Sequence, residues 1–146
     1  IYGLKKIADV KAAVNLDGGI NHQVLLENGV NKPLFFMISE GAYNTTYPYI
    51  TGARGQVDMI WDKIPHGNVL VIKGSNHINY ALDFCQSEFY TDFEQPICGS
   101  ISTGKINQIV IAYTKAFFDL YLKDKYSSIL EEVPENFPEI YDFRSK

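Results

Sequence analysis

The sequence predicts an α/β fold, a mostly parallel sheet with helices on both faces, and three observations carry that prediction. The stretches "KPLFFMISE" (32–40) and "NVLVIKGSNH" (68–77) hold apolar runs that do not alternate with polar residues. Strands of a parallel sheet, buried on both faces, read this way. Between and after these stretches, "ARGQVDMIWDKIP" and "STGKINQIVIAYTKAFFDLYLKDKY" repeat apolar residues at helical spacing. Strand, helix, strand, helix is the order that crossover connections impose.

Taken along the chain, Ile1 to Ile7 reads as the tail of a helix or turn, and Val10 to Leu16 as a first strand broken by Gly18-Gly19. Pro33 to Ile38 forms a second strand that ends in Ser39-Glu40, and Asn68 to Lys73 a third. The helix between them puts Val57, Ile60, Trp61 and Ile64 on one face and stops at Pro65. The long helix carries Ile106, Ile109, Val110, Tyr113, Phe117, Leu120 and Tyr121 on one side and is capped by Ser102 or Thr103. The tail "EEVPENFPEIYDFRSK", with two prolines and mixed charge, reads as an irregular strap. Three strands are few for a sheet that buries both faces, so residues 1–146 are expected to be the C-terminal part of one larger domain.

Composition narrows the function classes. A net charge of −4, from 17 acidic and 13 basic residues spread along the chain, provides no basic stripe for a phosphate backbone, which argues against nucleic acid as a partner. No apolar run approaches the roughly 20 residues a membrane-spanning helix needs. Cys85 and Cys98 have twelve residues between them and match no zinc spacing, so they read as buried structural thiols, a disulfide being the alternative. His22 and His66 lie in turn contexts and receive no role, and no metal or organic cofactor is implied.

In open α/β sheets, chemistry gathers at the carboxyl ends of strands. Asp17 follows the first strand, Glu40 the second and His77 the third. An acid before a histidine, both on loops after strands, is the second half of the Ser…Asp/Glu…His order of α/β-hydrolases. A serine hydroxyl attacks only when a neutral imidazole takes its proton, and a carboxylate on the other ring nitrogen fixes the tautomer and stabilises the imidazolium. The competing readings are a loop histidine satisfied by backbone for His77 and an ordinary turn residue for Asp17.

"VNLDGG", "KPLFFMISE" and "VIKGSNHINYALDF" together resemble the C-terminal half of the platelet-activating factor acetylhydrolase family, lipase-like α/β-hydrolases. The resemblance runs over residues 10 to 84, and the long C-terminal helix fits it too. It implies an α/β-hydrolase fold, serine-dependent hydrolysis of short-chain or phospholipid-type acyl esters, Asp17 as the triad acid and His77 as the general base, with Glu40 as the alternative acid. It also implies a Gly-x-Ser-x-Gly nucleophile elbow before the acid, and no such pentapeptide occurs here. The nucleophile serine and oxyanion-hole amides are therefore expected from an N-terminal portion of the same polypeptide. Ser39, Ser75 and the serines of "GSISTG" (99–104) sit in the wrong contexts to replace it and read as structural. Tyr43, Tyr47, Tyr49, Phe84, Phe89, Tyr90 and Phe93 fall in segments near the strand ends, where they serve packing or line an acyl pocket. The alternative function is a non-catalytic α/β module that docks on a partner chain.

Overall fold

The computed structural model describes residues 9–19, 27–44, 53–81, 85 and 98–146. The readings for Ile1 to Ile7, for His22, and for Tyr47, Tyr49, Phe84, Phe89, Tyr90 and Phe93 lie outside these residues. Four strands form one sheet in the order β1 (Ala13–Leu16), β2 (Leu34–Ser39), β3 (Gly67–Ile72) and β4 (Ile140–Ser145). The first three are parallel, with Leu16 opposite Met37 and Met37 opposite Leu70. This is the mostly parallel α/β sheet the sequence predicts.

Every residue of β2 and β3 is buried. The two-residue period of a strand sends alternate side chains to opposite faces, which explains why neither run alternates in polarity. On one face Leu34, Phe36, Ile38, Val69 and Val71 meet Val57 and Ile60 of α2 (Ala53–Trp61) and Ile64 beyond it. On the other, Phe35, Met37, Leu70 and Ile72 meet Ile106, Ile109, Tyr113 and Phe117 of α3 (Thr103–Lys123). Helices therefore cover both faces.

Helix boundaries follow local chemistry. Ser102 is the cap of α3, its hydroxyl accepting from Lys105 N–H at 3.3 Å. The helix stops at Asp124, whose left-handed backbone (φ 54°) turns the chain away while its N–H reaches the carbonyls of Asp119 and Leu120. Helix α2 ends at Trp61, before Pro65, and closes through Lys63 N–H to the Ile60 carbonyl at 2.9 Å. A five-residue helix, α1 (Glu40–Asn44), follows β2 directly and was not foreseen.

Two expectations are corrected. The C-terminal tail is an irregular strap only as far as residue 139, because residues 140–145 form β4, antiparallel to β3. The second edge of β3 carries backbone donors and acceptors that must be paired, and β4 supplies the partners, with Gly67 and Lys146 exchanging both backbone bonds at the far end. Arg144 fastens β4 to α2 by donating to Asp58 at 2.6 Å, and to the helix after β2 by donating to the Tyr43 hydroxyl at 3.0 Å. Cys85 and Cys98 are not free thiols but form a disulfide, with Cα atoms 5.9 Å apart.

Candidate active site

The site is assembled from three neighbouring strand ends. Asp17 follows β1 in the left-handed region (φ 53°), a conformation Asp adopts more readily than most residues. The turn is held by Asn15, whose side chain donates to the Gly18 carbonyl at 2.9 Å and accepts from Gly18 N–H at 2.6 Å. The Asp17 N–H donates to the Met37 carbonyl at 2.8 Å, extending the β1–β2 ladder by one rung. The carboxylate is thereby aimed across the end of β2.

There it is completely buried, at 0% side-chain exposure. A buried carboxylate needs donors on its lone pairs. Ser39 supplies two, its N–H to Oδ1 at 2.7 Å and its hydroxyl to Oδ2 at 2.7 Å. The third is His77, whose Nδ1 lies 3.0 Å from Oδ2. An ionised carboxylate only accepts, so the proton of the neutral ring is assigned to Nδ1 and Nε2 is left with a free lone pair. The ring is 68% exposed, and among the described residues Nε2 has no partner.

His77 opens a 3₁₀ helix (His77–Tyr80) just past Gly74, which takes a positive φ of 73°. The loop is gripped from the β2 side. Glu40 Oε2 accepts from Gly74 N–H at 2.7 Å, Gly41 N–H donates to the Ser75 carbonyl at 3.1 Å, and Glu40 N–H donates to the Ser75 hydroxyl at 3.4 Å, which itself donates to the Ile72 carbonyl of β3 at 2.6 Å. The corner that bonds Asp17 through Ser39 therefore also holds the histidine loop. Tyr80 closes the 3₁₀ helix, and its hydroxyl is pushed well above its ordinary pKa, first by burial and then by the Asp17 charge. It stays neutral beside the carboxylate.

Of the three residues singled out from sequence, the structure brings Asp17 and His77 together and turns Glu40 onto the backbone of Gly74. Ser75 and Ser102 are bonded to backbone groups, and Ser39 to Asp17. Sequence reasoning missed Ser39 as the partner of the carboxylate. Its role follows from the parallel register, which sets the residue after Leu16 beside the end of β2 and is not written in the sequence.

No family model matches the chain, and no curated protein matches it. Among solved structures, a ferulic acid esterase from Streptomyces cinnamoneus aligns with a TM-score of 0.72 at 19% sequence identity, over 93% of this chain and 40% of the esterase. The chain thus spans 40% of that protein's length. The likeness is one of fold, that of an α/β sheet with helices on both faces.

Proposed function

We propose that this chain supplies the acid and the histidine of a serine-dependent carboxylic ester hydrolase, with Asp17 orienting His77 as general base. The observation that carries the reading is the bond between the exposed His77 ring and the fully buried Asp17 carboxylate, 3.0 Å long. A fixed Nδ1–H tautomer with a free Nε2 is what proton abstraction from an alcohol requires. The nucleophile comes from a part of the polypeptide outside these residues, a view supported by the 40% coverage of the esterase fold.

In the reaction, Nε2 takes the hydroxyl proton as the serine attacks the acyl carbonyl, and Asp17 stabilises the resulting imidazolium. The ring returns the proton to the leaving alcohol. Water then attacks the acyl carbon as the same nitrogen takes its proton, and the imidazolium returns that proton to the serine oxygen as the acid leaves. Glu40 is a holder of the loop through Gly74, not the acid. The resemblance to the platelet-activating factor acetylhydrolase family favours short-chain or phospholipid-type acyl groups.

The test is covalent labelling of the full-length protein with a fluorophosphonate, together with turnover of p-nitrophenyl butyrate and methyl ferulate by parent and His77→Ala. Labelling, with butyrate turnover that disappears in the variant, is the expected result. Turnover that survives in His77→Ala sinks the triad assignment, and preference for methyl ferulate redirects the acyl class. The second reading, a non-catalytic docking module, draws on β1, which among the described strands pairs with β2 alone. Absence of labelling in the native full-length protein favours it.

A further inference from the structure

The His77 side chain is 68% exposed, so little packing holds the ring. Its position depends on the Asp17 contact and on the backbone beneath it, a four-residue 3₁₀ helix that has too few internal bonds to be rigid by itself. Something outside the helix must fix it. The β2 corner grips the loop upstream of the ring, at Gly74 and Ser75. Downstream, among the described residues, Tyr80 packs against the core on the α3 face, and the hydrogen bonds to the segment after Cys98 pass through one side chain.

That side chain is Asn79, 2% exposed. Its Oδ1 accepts from Asn76 N–H at 2.7 Å, closing the start of the 3₁₀ helix, and from Gly99 N–H at 2.8 Å. Its amide donates to Cys85 Sγ at 3.7 Å. Gly99 directly follows Cys98, the other half of the disulfide. The same segment bonds back to the loop through Ile101 N–H to the Gly74 carbonyl at 3.0 Å, and packs so closely that a Cβ on Gly99 would fall 2.0 Å from that carbonyl oxygen. Both acceptor sites of the Asn79 carbonyl are thus used on backbone, and one of its two amide hydrogens faces the disulfide, forming a buried polar node of the kind that specifies one local geometry.

We infer that Asn79 is a positioning residue for His77, transmitting the anchorage of the Cys85–Cys98 disulfide to the helix that carries the ring. The inference builds on the proposed esterase reading and acts on the same histidine. Without Asn79 the helix start and the 98–101 segment lose their shared acceptor. His77 then samples positions in which Nδ1 does not meet Asp17.

The test uses the full-length protein with ¹⁵N-labelled histidine rings, read by NMR for the Nδ1–H tautomer of His77, alongside p-nitrophenyl butyrate kinetics. In Asn79→Ala, kcat is expected to fall on the order of 100-fold, with KM held within about twofold of the parent, and the tautomer signature to be lost. Asn79→Asp keeps the Oδ1 acceptor and restores both towards the parent. A folded Asn79→Ala with the parent's tautomer overturns the inference, even if it melts earlier. Treating the parent with dithiothreitol, which yields two protein thiols and the cyclic oxidised reagent, gives an arm that needs no variant to fold. Reduction is expected to weaken the His77 tautomer signature, and an unchanged ring spectrum overturns the coupling. Esterase activity that survives in His77→Ala defeats the proposed function, while the ring spectrum still decides the role of Asn79.

Discussion

Asp17→Asn changes one atom type in a buried group, and the structure dictates the consequence. Ser39 N–H, 2.7 Å from Oδ1, is a backbone donor that cannot turn away, so the asparagine carbonyl must occupy that position. Its NH₂ then replaces Oδ2 and faces both the Ser39 hydroxyl and His77 Nδ1. The hydroxyl can rotate to accept, but the ring can accept only by moving its proton to Nε2. That is the nitrogen a general base must keep free. Trapping the wrong tautomer in a triad costs about 10⁴-fold in kcat, or about 5.4 kcal/mol at about 1.36 kcal/mol per decade. Stability should fall by about 1.5–3 kcal/mol as well, because the variant gives up hydrogen bonds to a charged acceptor. The assay is p-nitrophenolate release by the full-length protein, with urea unfolding to confirm the folded fraction. Glu40→Gln keeps an acceptor for Gly74 and should lose less than about tenfold. An Asp17→Asn variant within tenfold of the parent, or a Glu40→Gln variant as damaged as Asp17→Asn, refutes the reasoning.

Other outcomes follow from the same coordinates. Tyr113 is fully buried, its hydroxyl has no partner among the described residues, and burial pushes its pKa up to about 12. A folded-state pKa above the unfolded value near 10 means the tyrosine's contribution is fully present below about pH 10 and is lost progressively towards pH 12. Tyr113→Phe should therefore flatten the fall in urea midpoint between about pH 10 and 12, without loss of stability at pH 7. Arg144→Ala removes the donors to Asp58 and the Tyr43 hydroxyl and should cost about 1.5 kcal/mol in urea unfolding, with Arg144→Lys recovering little because an ammonium cannot span both partners. Gly99→Ala meets the Gly74 carbonyl and should impair ester turnover, whereas Gly104→Ala, whose Cβ meets nothing within 4 Å, should raise stability by about 0.5–1 kcal/mol.

Much of the architecture was legible because burial on both faces writes itself into β2 and β3 as uninterrupted apolar sequence. The long helix declared itself through 21 residues of periodicity and a serine cap. Strand β4 was illegible for the opposite reason. "IYDFRS" is short, carries two charges and is only partly buried, and its strand character depends on a bare edge of β3 some seventy positions earlier in the chain. Helix α1 is too short to show a period. The disulfide was hidden because two cysteines without a framework have no spacing rule to obey. Within the site, Asp17 and His77 could be named from their places after strands, but the role of Ser39 required the register, and that of Asn79 required knowing where the chain returns at Gly99.

The positive φ of Asp17 has a bearing on which acid can stand there at all. In that backbone state any residue with a Cβ bears a steric cost of about 1–2 kcal/mol, and Asp and Asn adopt it more readily than glutamate does. Glutamate would also carry its carboxylate a methylene farther, past the two Ser39 donors that define the pocket. The ring therefore meets an aspartate partly for reasons of chain geometry, and a designer who lengthens the acid to reach a shifted histidine would have to rebuild the turn at Asn15 and Gly18 first.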